Sequence, residues 1–426
     1  MTHDDARRAD DARRAVEAVW RIESARLIAG LTRVVRDVGL AEDVAQDALE
    51  AALRQWPIEG VPDKPGAWLM STAKHRAIDM LRRRSTLERK QHEIARDLEI
   101  QTELTETDMD AQADDFIGDD LLRLVFICCH PLLSVDGRVA LTLRLLGGLT
   151  TDEIARAYLV PEPTIAQRIV RAKRTLSAAN VPFEVPQGGD FIERLGSVLQ
   201  VIYLVFNEGY TATAGEHWIR PELLEEALRL GRVLAELVPD EPEAHGLVAL
   251  MEIQASRTRA RVGHAGEPIP LLEQDRGRWD WLLIGHALAA LERAERIGRV
   301  AGPYTLQAAI AACHARARTP EATDWQRIVA LYDALAQMTG SPVVELNRAV
   351  AVGMAFGPAA GLKLADALVS EPSMRSYHLL PAVRADFLAK LGLFAEARSE
   401  LERAASMTTN LAERELLSDR ALRLPA

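Results

Sequence analysis

Apolar residues recur at three- and four-residue intervals along nearly the whole chain, and no stretch alternates apolar with polar in the manner of a strand. This pattern predicts an all-α protein. A first helical block spans residues 12–85. Within it, LAEDVAQDALEAALRQWP reads as one helix, with Val44, Ala48, Leu49, Ala52, Leu53 and Trp56 on one side. Asp43, Gln46, Asp47, Glu50 and Arg54 fall on the other. The next helix, AWLMSTAKHRAIDMLRRR, buries Leu69, Met70, Ala73, Ala77, Met80 and Leu81. Trp68, Ser71, His75, Asp79 and Arg82 share its opposite side. The connection PIEGVPDKPG is restrained by its prolines and reads as a loop.

Residues 86–115 are polar and acidic, with few large apolar side chains, and read as a solvated linker. A second small block covers residues 116–180. In LTTDEIARAYLVPEPTIAQRIVRAKRTL, Thr150 to Glu153 fits a capping box at a helix start. Ile154, Ala155 and Leu159 give that helix its buried side. VPEP interrupts the chain, and a second helix follows with the stripe Ile165, Ile169, Ala172 and Leu176. NVPFEVPQGGD then marks a domain boundary. From residue 187 to 426 the pattern is helical again. LNRAVAVGMAFGPAAGLKLADAL and VRADFLAKLGLFAEARSELERAA share a layout of helix, glycine turn and small-residue helix, with Arg348 and Arg384 in corresponding places. The period lies in the mid-thirties and resembles tetratricopeptide (TPR) repeats, which stack into a solenoid.

A length of 426 residues calls for two or three domains. The chain is 48% hydrophobic and 27% charged, as soluble globular chains are, and only 5% aromatic. A formal net charge of −11 argues against a non-specific coater of nucleic acid, but not against a local basic surface. Cys128, Cys129 and Cys313 form no CxxC, and buried thiols in a reducing compartment account for them. The N-terminus MTHDDARRADDARR has no apolar core of a signal peptide, and no run spans a membrane, so a cytoplasmic protein is expected.

Two surfaces carry candidate chemistry. The second helix of the 116–180 block presents Thr164, Gln167, Arg168, Arg171, Lys173, Arg174 and Thr175, a basic face nearly free of acids. Arginine and glutamine at that spacing suit base edges and phosphates in a major groove, although such a face on a lone helix is ordinarily just solvated. On the earlier helix, Trp68 shares its side with His75 and with the arginine run Arg82, Arg83 and Arg84; Arg76 lies beside His75. An aromatic beside guanidinium groups suits single-stranded bases. Cover of Trp68 by the preceding loop, and arginines that merely complement the helix dipole, explain the same residues equally simply. The acidic face Asp43, Gln46, Asp47 and Glu50 is either solvated or a dock for a basic partner. In the last half, Asn207, Glu208 and Tyr210 of FNEGY and the charged DRGRWDW form polar clusters, either a small site or hydrogen-bonded helix junctions. No metal-ligand spacing, phosphate loop or catalytic triad accompanies them, and neither a metal nor a cofactor is expected.

In this order and spacing, the two blocks resemble an extracytoplasmic-function (ECF) sigma factor of bacterial RNA polymerase, of the sigma-70 family. The resemblance covers roughly residues 12 to 180. It implies a sigma-2 helical bundle, a linker and a sigma-4 helix-turn-helix. By similarity, Asp43, Gln46, Asp47 and Glu50 meet the clamp helices of the largest polymerase subunit. Trp68, His75, Arg76, Arg82, Arg83 and Arg84 lie along the −10 promoter element, with PIEGVPDKPG at the pocket for a flipped base. Thr164, Gln167, Arg168, Arg171, Lys173 and Arg174 read the −35 element. His75 stands where the family often has Asn, and Pro163 where it often has Gly at the start of the recognition helix; the latter suits a first helical turn. Residues 187–426 resemble the TPR-like regulatory extension of one subgroup. That resemblance suggests a small DGPF/YCII-type protein or a ligand as partner for the extension. The implied protein is a specificity subunit without a catalytic site of its own. Two other classes stay open: a conventional helix-turn-helix regulator with a TPR-like sensor, and a helical enzyme centred on Glu208.

Overall fold

A computed structural model describes residues 3–91, 113–158, 160–210, 219–263, 269–298, 300–408 and 411–425. The side chains of residues 3–13, 17, 21, 83–91, 113–119 and 411–412 are outside this description. Every regular element among the described residues is a helix, and the chain divides into two compact units, residues 1–201 and 202–426.

The first unit opens with α1 (His3–Val35), α2 (Val38–Glu59) and α3 (Pro65–Gln91). Arg36 adopts a left-handed backbone that ends α1, and Asp37 caps α2 by accepting the Leu40 N–H at 2.9 Å. The buried face of α2 is mostly alanine: Ala41, Ala45, Ala48, Ala51 and Ala52, closed by Val44 and Trp56. Leu53, expected on that face, is exposed, while Ala51 and Ala52 on either side of the seam are buried. The helix also runs past Pro57, expected in the loop, and stops at Gly60, whose φ is +92°. Leu69, Ala73 and Ala77 of α3 are fully buried as the periodicity requires.

The linker expected at 86–115 lies mostly outside the described residues, though α3 continues helical through its first part. Next come α4 (Ala113–Cys128), α5 (Val135–Leu145), α6 (Thr151–Tyr158), α7 (Glu162–Ala178) and α8 (Gly188–Tyr210). Leu124 to Cys129 are all buried, and all three cysteines are free and buried. Burial pushes the Cys128 thiol well up from its ordinary value and Cys129 up to about 11. Both are held as thiols in the core.

The compact division falls inside α8, not at the Pro/Gly stretch ending near residue 187. The reason is packing of the first turns of α8 on α4 and α5. Phe191 meets Phe126 at 5.4 Å between ring centroids. Arg194 donates to the Phe126 carbonyl at 3.0 Å. Ser197 donates to the Cys129 carbonyl at 2.8 Å and accepts from Arg138 at 2.6 Å. Leu195, Val198 and Leu199 are buried with them.

The second unit continues with α9 (Pro221–Leu237), α10 (Pro242–Ala255), α11 (Trp281–Ile297), α12 (Pro303–Arg316) and α13 (Trp325–Thr339). It ends with α14 (Pro342–Phe356), α15 (Pro358–Ala367), α16 (Leu379–Lys390), α17 (Phe394–Met407) and α18 (Leu411–Arg423). Five of these helices open on proline, which loses nothing where the N–H has no helical partner. Each helix packs on the next, and α10, apolar on almost every side, is buried among α9, α11 and α12. The α12 N-terminus begins at Gly302, which has no side chain to cap it. Glu243 of α10 does so instead, accepting the N–H groups of Tyr304 at 2.8 Å and Thr305 at 3.1 Å.

The repeat expected around Arg348 and Arg384 has a structural counterpart. Arg348 pairs with Asp333 of the preceding helix at 3.2 Å and with Glu345 at 2.8 Å. Arg384 likewise reaches back to Asp366 at 2.9 Å, and forward to Glu400 at 2.6 Å. Each helix then ends in a turn whose glycine, Gly357 or Gly392, has positive φ, a conformation costly for other residues.

The division within α8 carries an expectation. A chain ended after residue 186 lacks Leu195, Val198 and the hydrogen bonds of Arg194 and Ser197. Urea unfolding should find it less stable than a chain ended after residue 201, by at least about 2 kcal/mol, the low end for one emptied leucine site. Equal stability would show that the α8 turns merely rest on α4 and α5.

Candidate nucleic-acid interface

The helix-turn-helix is α6 and α7. Its capping box is complete: Thr150 Oγ1 accepts the Glu153 N–H at 3.1 Å, and Glu153 Oε2 accepts the Thr150 N–H at 2.7 Å. Ile154 and Ala155 are buried; Leu159 lies outside the described residues. The turn closes through Val160 N–H to the Ala155 carbonyl at 3.1 Å, and Pro163 sits in the first turn of α7. Ile165, Ile169, Ala172 and Leu176 are the buried stripe of α7. Gln167, Arg171 and Arg174 are exposed on the other side, with Thr164 half-buried at its start.

Two basic residues of this face are engaged within the unit. Arg168 pairs with Asp136, in the first turn of α5, at 2.8 Å. Lys173 pairs with Glu42 of α2. Neither acid stands out in the sequence. Asp136 reads as an ordinary dipole-complementing residue of a first turn, and Glu42 as one more charge beside an alanine face. The nearest signal for Glu42 is its place at the border of that face, where a carboxylate is half drawn into the core.

On α3, Trp68 is half-buried and its indole meets the buried Trp56 edge-on, with centroids 5.5 Å apart. It therefore rests against α2 and keeps part of its surface outward. His75 and Arg82 are exposed. The side chains of Arg83 and Arg84 lie outside the described residues. Arg76 turns toward α2: it donates to the Asp47 carbonyl and lies 3.8 Å from the Asp47 carboxylate. On the acidic face, Asp43 and Glu50 are exposed, Glu50 pairs with Arg54 at 3.0 Å, and Gln46 donates to Glu42 at 2.9 Å.

The polar clusters of the second unit behave as helix junctions. Glu208 pairs with Arg220 at 2.6 Å, and the Gly209 carbonyl accepts the Arg220 N–H at 2.8 Å. A Cβ on Gly209 would stand 2.5 Å from the Leu224 nitrogen, so this crossing admits only glycine. Arg261 lies over the Tyr210 ring, 3.5 Å from its centroid. Of the DRGRWDW charges, Asp280 caps α11 at 3.0 Å from the Leu283 nitrogen. Buried Arg276 donates to the carbonyls of His314, at 2.7 Å, and Ala317. Its cation thus sits at the negative end of α12. Glu208 and Arg276 each serve a separate junction. No group of three or more metal-ligating residues occurs among the described residues, and none of their helices is long and apolar enough to cross a membrane.

Residues 22–86 match Sigma-70 region 2, and residues 123–176 match Sigma-70, region 4. Residues 194–295 match a family of unknown function, DUF6596. An uncharacterized protein of Rhizobium meliloti is 43% identical over 394 residues, covering 91% of this chain and 90% of that protein. A Mycobacterium tuberculosis protein named "Probable ECF RNA polymerase sigma factor SigI" is 28% identical over 170 residues, which are 40% of this chain and 57% of that one. The ECF RNA polymerase sigma factor SigK of Mycobacterium ulcerans is 28% identical over 153 residues, 35% of this chain and 78% of the relative. No solved structure matches.

Two stability measurements follow from these geometries. Thr150→Ala removes the cap of α6 and should cost about 1 kcal/mol in equilibrium unfolding; no change would mean that α6 is held by packing alone. In the second unit, the His314 imidazole is brought from its ordinary 6.5 down to about 4, first by burial and then by Arg257 and Arg276. A histidine neutral when folded and protonated when unfolded supports the fold fully above pH 6.5, and that support is lost as the pH falls toward 4. Relative to His314→Gln, the native chain should therefore lose about 3 kcal/mol across that window. Parallel stability curves for the two proteins would remove this role.

Proposed function

We propose, for a chain that belongs to the extracytoplasmic-function group of the sigma-70 family, that the surfaces above are its polymerase and promoter contacts. The protein is a sigma factor for promoter recognition, and the family is a non-catalytic class of RNA polymerase subunit that binds the core enzyme and promoter DNA. The observation that carries the residue assignment is the α6–α7 pair, with its complete capping box and its outward basic face. In this reading Thr164, Gln167, Arg168, Arg171, Lys173 and Arg174 meet the −35 element. Trp68, held edge-on by Trp56, offers a fixed stacking surface to an unpaired base near the −10 element. His75, Arg76, Arg82, Arg83 and Arg84 flank it. Asp43, Gln46, Asp47 and Glu50 on α2 face the largest-subunit clamp, with Arg76 holding the Asp47 turn.

Phosphodiester synthesis belongs to the polymerase, and this chain contributes no reacting group. A conventional helix-turn-helix regulator would account for α5 to α7 but not for the region-2 match or the acidic face of α2. Regulation through the second unit, by a small DGPF/YCII-type protein or a ligand, rests on the family resemblance alone, as does placement in the cytoplasm with the polymerase.

Run-off transcription with bacterial core polymerase on the promoter of the protein's own gene tests the assignment. Arg168→Ala and Arg171→Ala should each lower −35-dependent transcript by about 1–3 kcal/mol in apparent affinity. Asp43→Lys with Asp47→Lys should weaken holoenzyme assembly without unfolding the chain. Full transcription from the arginine variants would move the −35 reader elsewhere, and normal assembly after charge reversal would remove the α2 dock.

A further inference from the structure

The last turns of α8, together with α10 and α12, turn polar stripes toward one groove of the second unit. On α8 the stripe is Tyr203, Asn207 and Tyr210. On α10 and the turn after it, the stripe is Gln254, Arg257 and Arg261, and on α12 it is Gln307 and His314. These positions recur at the three-, four- and seven-residue spacings that share a helix face. All but the buried Arg261 are half-buried, among neighbours that are mostly buried. The stripes meet at both ends. Asn207 and Gln254 hydrogen-bond the Tyr203 hydroxyl, which lies 3.5 Å from Gln307 Oε1. At the other end, the guanidinium carbons of Arg261 and Arg257 stand 3.5 Å and 6.0 Å from the Tyr210 ring centroid. The His314 ring lies edge-on to Trp325, with centroids 5.2 Å apart.

Cations crowd that second end. Burial lowers Arg261, Arg276 and His314 from their ordinary values, and the Arg257 charge lowers each of them further. Arg261 and Arg276 donate to the backbone carbonyls of Tyr210, His314 and Ala317, which solvate a cation without neutralising it. Glu321, the acid that acts on Arg276, is exposed. Among the described residues no carboxylate pairs with Arg257, and Arg257 Nε, Arg276 Nε and His314 Nδ1 are buried without a hydrogen-bond partner. Buried polar atoms are ordinarily satisfied, and a buried charge ordinarily meets its opposite. Three open polar atoms around an uncompensated guanidinium describe a place for an anion. We propose that this groove binds a small oxyanion, a carboxylate- or phosphate-bearing metabolite, with its acidic group between Arg257 and His314 and its polar body along Asn207, Gln254 and Gln307. The guanidinium fork of Arg257 matches either acidic group, and the Tyr210 ring backs it. At neutral pH His314 is uncharged, and its Nδ1 can carry the hydrogen that an oxyanion accepts. The groove lies wholly in the second unit, so its ligand is independent of the promoter and polymerase assignments.

The test uses the full chain at neutral pH, with inorganic phosphate and acetate as probes and chloride exchanged to hold the ionic strength constant. The readout is the imidazole NMR signal of His314, identified by its loss in His314→Gln. At least one probe should shift that signal saturably. A shift with phosphate alone assigns a phosphate-bearing ligand, and a shift with acetate a carboxylate. Arg257→Gln should weaken the binding at least about tenfold, the worth of one charge-assisted hydrogen bond. Arg296→Gln, at the exposed end of α11, should leave it unchanged. Without a probe, Arg257→Gln should not lower the thermal midpoint, because it removes a cation that has no counter-charge. Should Arg257→Gln lose its helical circular dichroism, Arg257→Lys decides by the same shift, since it keeps the charge and loses the fork. No saturable shift with either probe overturns the site. So does native affinity in the Arg257 variants, and a lowered midpoint beside it would mean that Arg257 serves the fold alone.

Discussion

Close approach of helix backbones is the constraint on which the rest of this protein depends. Aromatic residues are few, the cores are filled mainly by Leu, Ile, Val and alanine, and at the tightest crossings the helices meet over alanine and glycine. The α2 face, with five buried alanines, is the clearest case, and the crossing at Gly209 repeats it in the second unit. Small-residue faces leave little slack. A side chain at their border is either drawn into the seam or pushed out of it. Glu42 is drawn in and must find partners, whereas Leu53 stays exposed.

That constraint shapes the functional surfaces. Trp68 is positioned because Trp56 closes the end of the α2 face and gives it an edge to rest on. Arg76 is steered to the Asp47 turn by the closeness of α3 to α2. The basic face of α7 is consequently not a uniform array. Gln167, Arg171 and Arg174 face outward, while Arg168 and Lys173 answer to acids on neighbouring helices. Basic residues with the same sequence signature thus divide into those that face outward alone and those that also pair with an acid of the fold.

What the sequence made legible was local periodicity. The stripe Ile165, Ile169, Ala172 and Leu176, the Thr150–Glu153 capping box and the Arg348/Arg384 correspondence are all relations between residues close in the chain or repeated along it. What it hid was long-range. Glu42 meets Arg144 and Lys173 across more than a hundred residues, and nothing near Glu42 announces them. The packing that joins the start of α8 to the first unit is hidden for a similar reason. Proline and glycine in NVPFEVPQGGD mark a real change of direction, but Ser197 and Arg194 beyond it still belong to the packing of α4 and α5. The polar clusters at FNEGY and DRGRWDW looked like candidate chemistry because charge in an apolar context is unusual. Their partners include backbone carbonyls, helix ends and counter-charges, which composition cannot display.

The paired arginines of the second unit have a consequence for how such a chain can change length. Arg348 and Arg384 each carry their own acid on the preceding helix, and each is followed by its own turn glycine. The join between successive helical hairpins is therefore encoded within the repeating segment itself. An in-frame duplication or loss of one whole segment brings or removes a complete joint, so the unit can be lengthened or shortened in whole steps without any new interface having to evolve.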